Sequence, residues 1–320
     1  MSELVFPTAR IGAIVPPEPG CRWLVRTLWA ANTVGILAGS PRAGKTWLSL
    51  DLAVSIASGT PCLGAFPVEC QGRVLLFLAE DAPESARQRV EGICHHRGLA
   101  IADLDMHLIT APALRLPLPA DTQRLFATVA ALKPVLLVLD PFVRIHAGID
   151  ENNAGEVSRL LADLRLLQRT HEVSILVVHH LRKNGRGSPG EALRGSGDLY
   201  AWTDSLATLS RPNGVLKLAI EHRFDRALEP VAVKLVTLPD GSCPHLELDT
   251  SSPSPAVPQD LAALVLDALG RATSAVPRTE LRDRLRVNNN RLGTILDDLA
   301  RAGRILRSPD GWQLSIGGAS

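Results

Sequence analysis

The chain has 320 residues, 46% of them hydrophobic, with 34 Lys and Arg against 33 Asp and Glu for a net charge of +1. That length favours two domains, and that hydrophobic share excludes a mainly disordered or collagen-like chain. The charge balance excludes a histone-like basic carpet, so any contact with nucleic acid has to come from a local patch. Apolar runs such as 135–139 are of strand length, well short of the ~18 residues of a membrane span. The first ten residues, MSELVFPTAR, lack the basic start and apolar run of a signal peptide. Cys21, Cys62, Cys70, Cys94 and Cys243 are odd in number and form no C-x-x-C pair. They support neither a zinc site nor a disulfide framework and read as reduced thiols of a cytoplasmic protein.

Taken in chain order, residues 1–30 form an N-terminal lead-in. Pro16, Pro17 and Pro19 break its regularity, and Trp23, Leu24 and Trp29 are set to pack on the adjoining domain. Over 31–248, apolar strand-length runs alternate with helical stretches. Strands are expected at 34–38, 74–78, 135–139, 174–178, 206–210 and 216–220, and helices at 46–58, 86–97, 121–132 and 154–170. Near-continuous apolar strands separated by helices predict an α/β fold with a mainly parallel sheet covered on both faces, the closely spaced last strands adding an antiparallel edge. Residues 249–258, DTSSPSPAVP, are a Ser/Pro linker. Within 259–320, Leu261, Leu264, Val265 and Leu269 mark one amphipathic helix. Two more are expected over 279–285 and 291–302, then a hairpin around Ser308-Pro309-Asp310-Gly311. Three helices and a small hairpin outline a winged helix-turn-helix. The sequence has no internal repeat.

Gly39-Ser40-Pro41-Arg42-Ala43-Gly44-Lys45-Thr46 matches G-x-x-x-x-G-K-[ST], with an apolar strand before it and an amphipathic helix after it. Glycines there let backbone N–H groups turn inward around a phosphate, and the helix start adds its positive end. Lys45 is placed to bridge the β- and γ-phosphates of ATP, and the Thr46 hydroxyl to ligate Mg2+. With Trp47 beside it, this loop is the candidate nucleotide site. The run 135–139 ends in Asp140, an acid suited to hold magnesium through water. The run 74–78 leads to Glu80, which can orient the attacking water or take its proton, and to Asp81, which can ligate or cap the next helix. The run 173–178 ends in His179 and His180. Adjacent strand positions face opposite ways, so the pair is poorly set to chelate one ion, and His180 reads as either a γ-phosphate contact or a structural residue.

GSPRAGKT, LAED-x-P with Arg89 eight residues beyond Asp81, VLLVLDP, ILVVHHLRK and LRGSGDL occur in that order over residues 30–235. Together they resemble the RecA-type core of the RepA-like hexameric helicase family, AAA ATPases distantly related to DnaB-type replicative helicases. The resemblance implies a ring-shaped oligomer, a hexamer, with ATP bound between subunits. It also implies Glu80 as the water-activating carboxylate, His180 as the γ-phosphate sensor and Arg89 near the nucleotide. A neighbouring subunit would supply an arginine finger, for which Arg223 fits. Glu221 stands where the relatives carry a lysine, and Asp204 where a further arginine is usual.

Residues 181–194 hold Arg182, Lys183, Arg186 and Arg194 among three glycines, directly after the histidines. In the resembled rings this loop faces the central channel and touches the nucleic-acid backbone, so Arg182, Lys183 and Arg186 are candidate DNA contacts. On the third C-terminal helix, Asn290 and Arg291 suit base edges of duplex DNA, with Arg304 and Arg307 near phosphates. Asp297 and Asp298 on the same helix would repel a DNA backbone, and protein docking is the alternative for this module. Two functions remain: a DNA-associated ATPase motor, helicase or translocase, and an ATP-switched regulator that assembles on duplex DNA without unwinding it. A small-molecule kinase would need a lid and an acceptor pocket, and neither has a signature here.

Overall fold

Among the described residues, the first strands are built on tryptophan. β1 (Trp23–Val25) pairs antiparallel with β2 (Trp29–Ala30), and Trp23, Leu24 and Trp29 are buried. Trp29 lies under β3 (Val34–Gly39). A Cβ on Gly35 would sit 2.5 Å from the Ser205 carbonyl oxygen and 2.7 Å from the Trp29 ring, so only glycine fits that strand position. The computed structural model describes residues 8–14, 22–146, 148–149, 153–181, 197–238, 242–249, 261–272, 274–285, 287 and 289–315. By its internal contacts the chain falls into two units, Met1–Ser252 and Pro253–Ser320.

In the first unit, β3 is followed by α1 (Lys45–Ser58), β4 (Val74–Leu78), α2 (Pro83–Arg97), β5 (Met106–Leu108), α3 (Pro119–Leu132) and β6 (Leu136–Asp140). Then come α4 (Phe142–Ile145), α5 (Ala154–His171), β7 (Ser174–His180), α6 (Gly197–Trp202), β8 (Ser205–Ser210), β9 (Lys217–His222), β10 (Leu228–Val236) and β11 (His245–Leu248). One nine-stranded sheet runs in the order β11-β10-β9-β8-β3-β7-β6-β4-β5. Its pairings are parallel from β8 through β5 and antiparallel from β8 out to β11. Every residue of β3, β4 and β6 is buried, as strands covered on both faces require.

Side-chain alternation divides the core in two. Leu37, Leu176 and Val178 pack with α1 and α2, whereas Ile36, Ala38, Ile175 and Val177 pack with α3 and α5. On α5, Val157, Leu160, Leu161, Leu164 and Leu167 recur at helical spacing and are all buried, each contributing roughly 1.5–3 kcal/mol of apolar burial. Asn153 caps that helix, accepting a hydrogen bond from the Gly155 N–H at 3.1 Å. α1 is buried nearly all round and includes Asp51, which pairs with Arg97 of α2 at 2.7 Å. Breaking such a buried pair from one side costs roughly 3–5 kcal/mol.

The second unit contains α7 (Leu261–Gly270), α8 (Arg278–Leu285), α9 (Asn289–Arg301) and the antiparallel pair β12 (Ile305–Ser308) and β13 (Gly311–Leu314). Leu261, Val265, Leu269, Leu281, Leu292, Leu296, Ile305 and Trp312 form its core. Gly311 has φ +141, and a Cβ there would meet the Val276 carbonyl carbon at 2.4 Å, so the turn admits glycine alone. Among the described residues, no helix is long and apolar enough to cross a membrane. Cys62, Cys94 and Cys243 carry free thiols.

Candidate nucleotide site

β3 delivers the chain to the phosphate loop, and α1 starts at Lys45. The turn needs positive φ at Arg42 (62°) and Gly44 (93°), and no side chain caps α1. The free N–H groups of a 14-residue helix therefore face the loop. A Cβ on Gly39 would come within 2.8 Å of the Leu209 carbonyl oxygen, so the strand can enter the loop only as glycine. Lys45 is buried, and its Nζ donates to the Gly39 and Ser40 carbonyls at 3.0 and 2.9 Å. Burial lowers its pKa, against the opposing pull of Asp140 and Glu80.

β6 ends beside the loop. The Thr46 hydroxyl donates to Asp140 Oδ2 at 2.8 Å. Burial of Asp140 raises its carboxyl pKa to about 6, helped by the nearby charges of Asp81 and Glu80 and opposed by Thr46 and Lys45. β4 lies next to β6 with Leu78 opposite Asp140, which brings the following acids to the same end of the sheet. Glu80 Oε1 accepts from Arg144 Nε at 3.0 Å, both side chains being more than half exposed. Asp81 accepts from Arg89 at 2.7 Å, and the Arg89 guanidinium lies 5.4 Å from the Trp47 ring centroid. Asp81 therefore does not cap α2: the N-cap residue is Ala82, which makes no side-chain cap bond.

β7 is inserted between β3 and β6, and His180 pairs in register with Gly39. It continues the face of Leu176 and Val178, the α1 side. His179 is buried on the other face, its ring 5.3 Å from Phe142 in an edge-on contact. The two imidazoles thus serve opposite layers. Arg223 lies elsewhere. β9 runs antiparallel, with His222 opposite Ser205 and Ser205 opposite Gly35. Arg223 is therefore at the far end of the sheet from its own loop, about 13 Å or more along the strands. It forms an ion pair with Asp204 at 3.5 Å and donates to the Ala201 carbonyl. Asp204 also holds Arg165 at 2.5 Å. Arg182, Lys183 and Arg186 lie outside the described residues. α9 includes Asn290 and Arg291, but their side chains lie outside what is described.

Arg144 is the functional candidate that sequence reading missed. It sits four residues past Asp140, within the single turn of α4, where it reaches Glu80 across 64 residues of chain. The site suits a nucleoside triphosphate with a divalent cation. The loop offers uncapped N–H groups and Lys45, and three carboxylates with a hydroxyl gather at its mouth, one of them too buried to ionise easily. Thr46 and Asp140 supply the hard oxygen donors that Mg2+ takes.

A family model described as an AAA domain matches residues 2–186. The crystal structure of the RadB recombinase superposes with a TM-score of 0.47 at 18% identity, covering 64% of this chain and 88% of that one. Matched over more than half its length, and built on a phosphate loop in a largely parallel sheet, the chain belongs to the AAA domain family.

Proposed function

We propose that this protein is an oligomeric, DNA-associated ATPase motor of the RepA-like helicase or translocase type. The observation that carries the reading is the meeting, at one end of the sheet, of Lys45, the Thr46–Asp140 pair at 2.8 Å and Glu80. Beside them runs β7, whose own continuation is the basic, glycine-rich stretch 182–194. Lys45 exchanges its loop carbonyls for the β- and γ-phosphates. Thr46 and Asp140 would hold Mg2+, which would supply neutralisation of the charge on the phosphates. Glu80, oriented by Arg144, takes the proton of the attacking water. His180 hydrogen-bonds the γ-phosphate and couples its loss to Arg182, Lys183 and Arg186 on the DNA backbone. Arg89 braces the nucleotide side of the loop through Asp81 and Trp47. Arg223 of one subunit completes a neighbour's site across a ring, its far-end position being compatible with action in trans. Residues 259–320 act as a winged helix, with Asn290 and Arg291 toward duplex DNA.

A second reading is an ATP-switched regulator. It is favoured by the way the site is closed on itself: Lys45 is satisfied by its own loop, and Glu80 is engaged by Arg144. Steady-state hydrolysis with and without single-stranded DNA separates the two. A motor shows stimulation of tenfold or more and displaces an annealed strand. A regulator binds duplex DNA and hydrolyses slowly whichever strand form is added. Lys45→Ala abolishes nucleotide binding in both, and if it binds and turns over ATP as before, the assigned site is wrong.

A further inference from the structure

α2 ends against the antiparallel edge of the sheet. Its last turn carries His96, and β11 presents His245 and Glu247, two positions apart and so on one face. The imidazoles of His96 and His245 stack with centroids 3.6 Å apart and planes at 21°. One carboxylate oxygen, Glu247 Oε1, lies 3.0 Å from His245 Nε2 and 3.1 Å from His96 Nε2. On its other side, His245 Nδ1 is 3.1 Å from the Cys243 carbonyl oxygen.

These contacts constrain the protons. A carbonyl oxygen only accepts, so Nδ1 of His245 carries hydrogen. The neutral imidazole then has a lone pair on Nε2, aimed at a carboxylate oxygen that also only accepts. Two acceptors thus face each other at 3.0 Å, on a ring whose side chain is only 3% exposed and which is stacked on a second imidazole. A cation between them would satisfy both. The Nδ1–H to carbonyl bond is also the outer contact that orients a metal-ligating histidine.

We propose that His96, His245 and Glu247 form a binding site for Zn2+ or a similar first-row divalent ion. Two imidazole nitrogens and one carboxylate favour Zn2+ over Mg2+ and set this site apart chemically from the all-oxygen pair at the phosphate loop. His96 and Glu247 are 41% and 32% exposed, which leaves a fourth position open to water. In the stacked arrangement the two Nε2 lone pairs run nearly side by side. His96, the exposed member, turns out of the stack to meet an ion lying in the plane of His245. The ion would fasten the end of α2 to β11. Packing there is already close: a Cβ on Gly92 would lie 3.1 Å from the Cys243 Cα, and Arg97 is anchored to Asp51.

The test uses the full chain, stripped with a chelator and titrated with Zn2+ while excess Mg2+ occupies hard-oxygen sites. Metal content after gel filtration should be about one ion per chain. Hundredfold excess over Kd should raise Tm by about 5 °C, and Co2+ substitution should give the visible bands of a low-coordinate nitrogen–oxygen site. His96→Asn and Glu247→Gln, both on partly exposed side chains, should keep the metal-free Tm yet weaken Zn2+ binding tenfold or more. Retention of no ion, or equal affinity in both variants and the parent, would overturn the proposal.

Discussion

Asp140→Asn separates what the buried acid does for the fold from what it does for chemistry. Its carboxyl is raised from 3.8 to about 6, chiefly by burial. A carboxyl raised by folding is neutral in both states at low pH and costs nothing there. The penalty grows as pH climbs from the unfolded value to the folded one and is complete above it. A shift of about two units corresponds to about 3 kcal/mol at pH 7.5 and about 1 kcal/mol at pH 4.5. The amide is isosteric, and its oxygen can still accept from Thr46, so Asp140→Asn should be more stable than the parent by those amounts. Urea unfolding of the nucleotide-free protein at the two pH values measures it. Mg2+-dependent turnover should fall at least about 100-fold in the same variant, because the amide no longer attracts the cation. In the parent, Mg2+ must displace a proton below pH 6, so its affinity should drop there by about tenfold per unit. A variant less stable than the parent at pH 7.5, or a gain independent of pH, would refute the reasoning.

Glu80→Gln should retain ATP binding and lose hydrolysis by about 100-fold or more, read by nucleotide-binding fluorescence and phosphate release. Arg144→Ala removes an exposed pair worth at most about 1 kcal/mol, so kcat should change by less than about fivefold; a far larger loss would make Arg144 itself catalytic. Gly35→Ala should destabilise by about 3 kcal/mol or more in thermal melts, and Trp29→Leu should not rescue it, since the Ser205 carbonyl 2.5 Å away remains. Neutralising Arg182, Lys183 and Arg186 together should flatten the salt dependence of single-strand binding by about 2 in log–log slope. An unchanged slope removes those residues from the interface.

What the sequence made legible is what is contiguous along the chain. The phosphate loop, the apolar runs leading into it and into Asp140, and α5 all carry their pattern within twenty residues. The observed elements agree with expectation to within a residue or two at most ends. α2 and α3 begin two or three residues earlier than expected because each starts on a proline, Pro83 and Pro119, which the first helical turn tolerates. β5 has three residues, and β10 mixes buried and exposed positions around Pro230, so neither shows a clean period. The contacts that join distant segments were not legible at all. Glu80 and Arg144 are 64 residues apart, and His96 meets β11 only because the antiparallel edge reaches α2. The direction of β9, which carries Arg223 away from its own loop, arises from edge pairing that no local pattern encodes.

The charged groups at the nucleotide site are each held by a partner from the protein itself. Lys45 is held by loop carbonyls, Asp140 by Thr46, Glu80 by Arg144 and Asp81 by Arg89. These substitutes differ in strength. Glu80–Arg144 is exposed and weak, and opens at little cost. The Lys45 contacts are buried, so releasing them is worthwhile only for a partner of higher charge, which phosphate oxygens provide and a neutral ligand does not. The penalty for ionising Asp140 works in the same sense: it persists above pH 6 until a cation offsets it. The site is thus closed on its own side chains yet electrostatically uncomfortable, and a doubly charged cation travelling with a polyphosphate relieves both features in one event. That predicts strongly cooperative binding of Mg2+ and ATP, each tightening the other by the same factor. Titration of either one with the other absent or saturating measures that factor, and equal affinities in the two conditions would mean that Asp140 and Lys45 do not report to a common ligand.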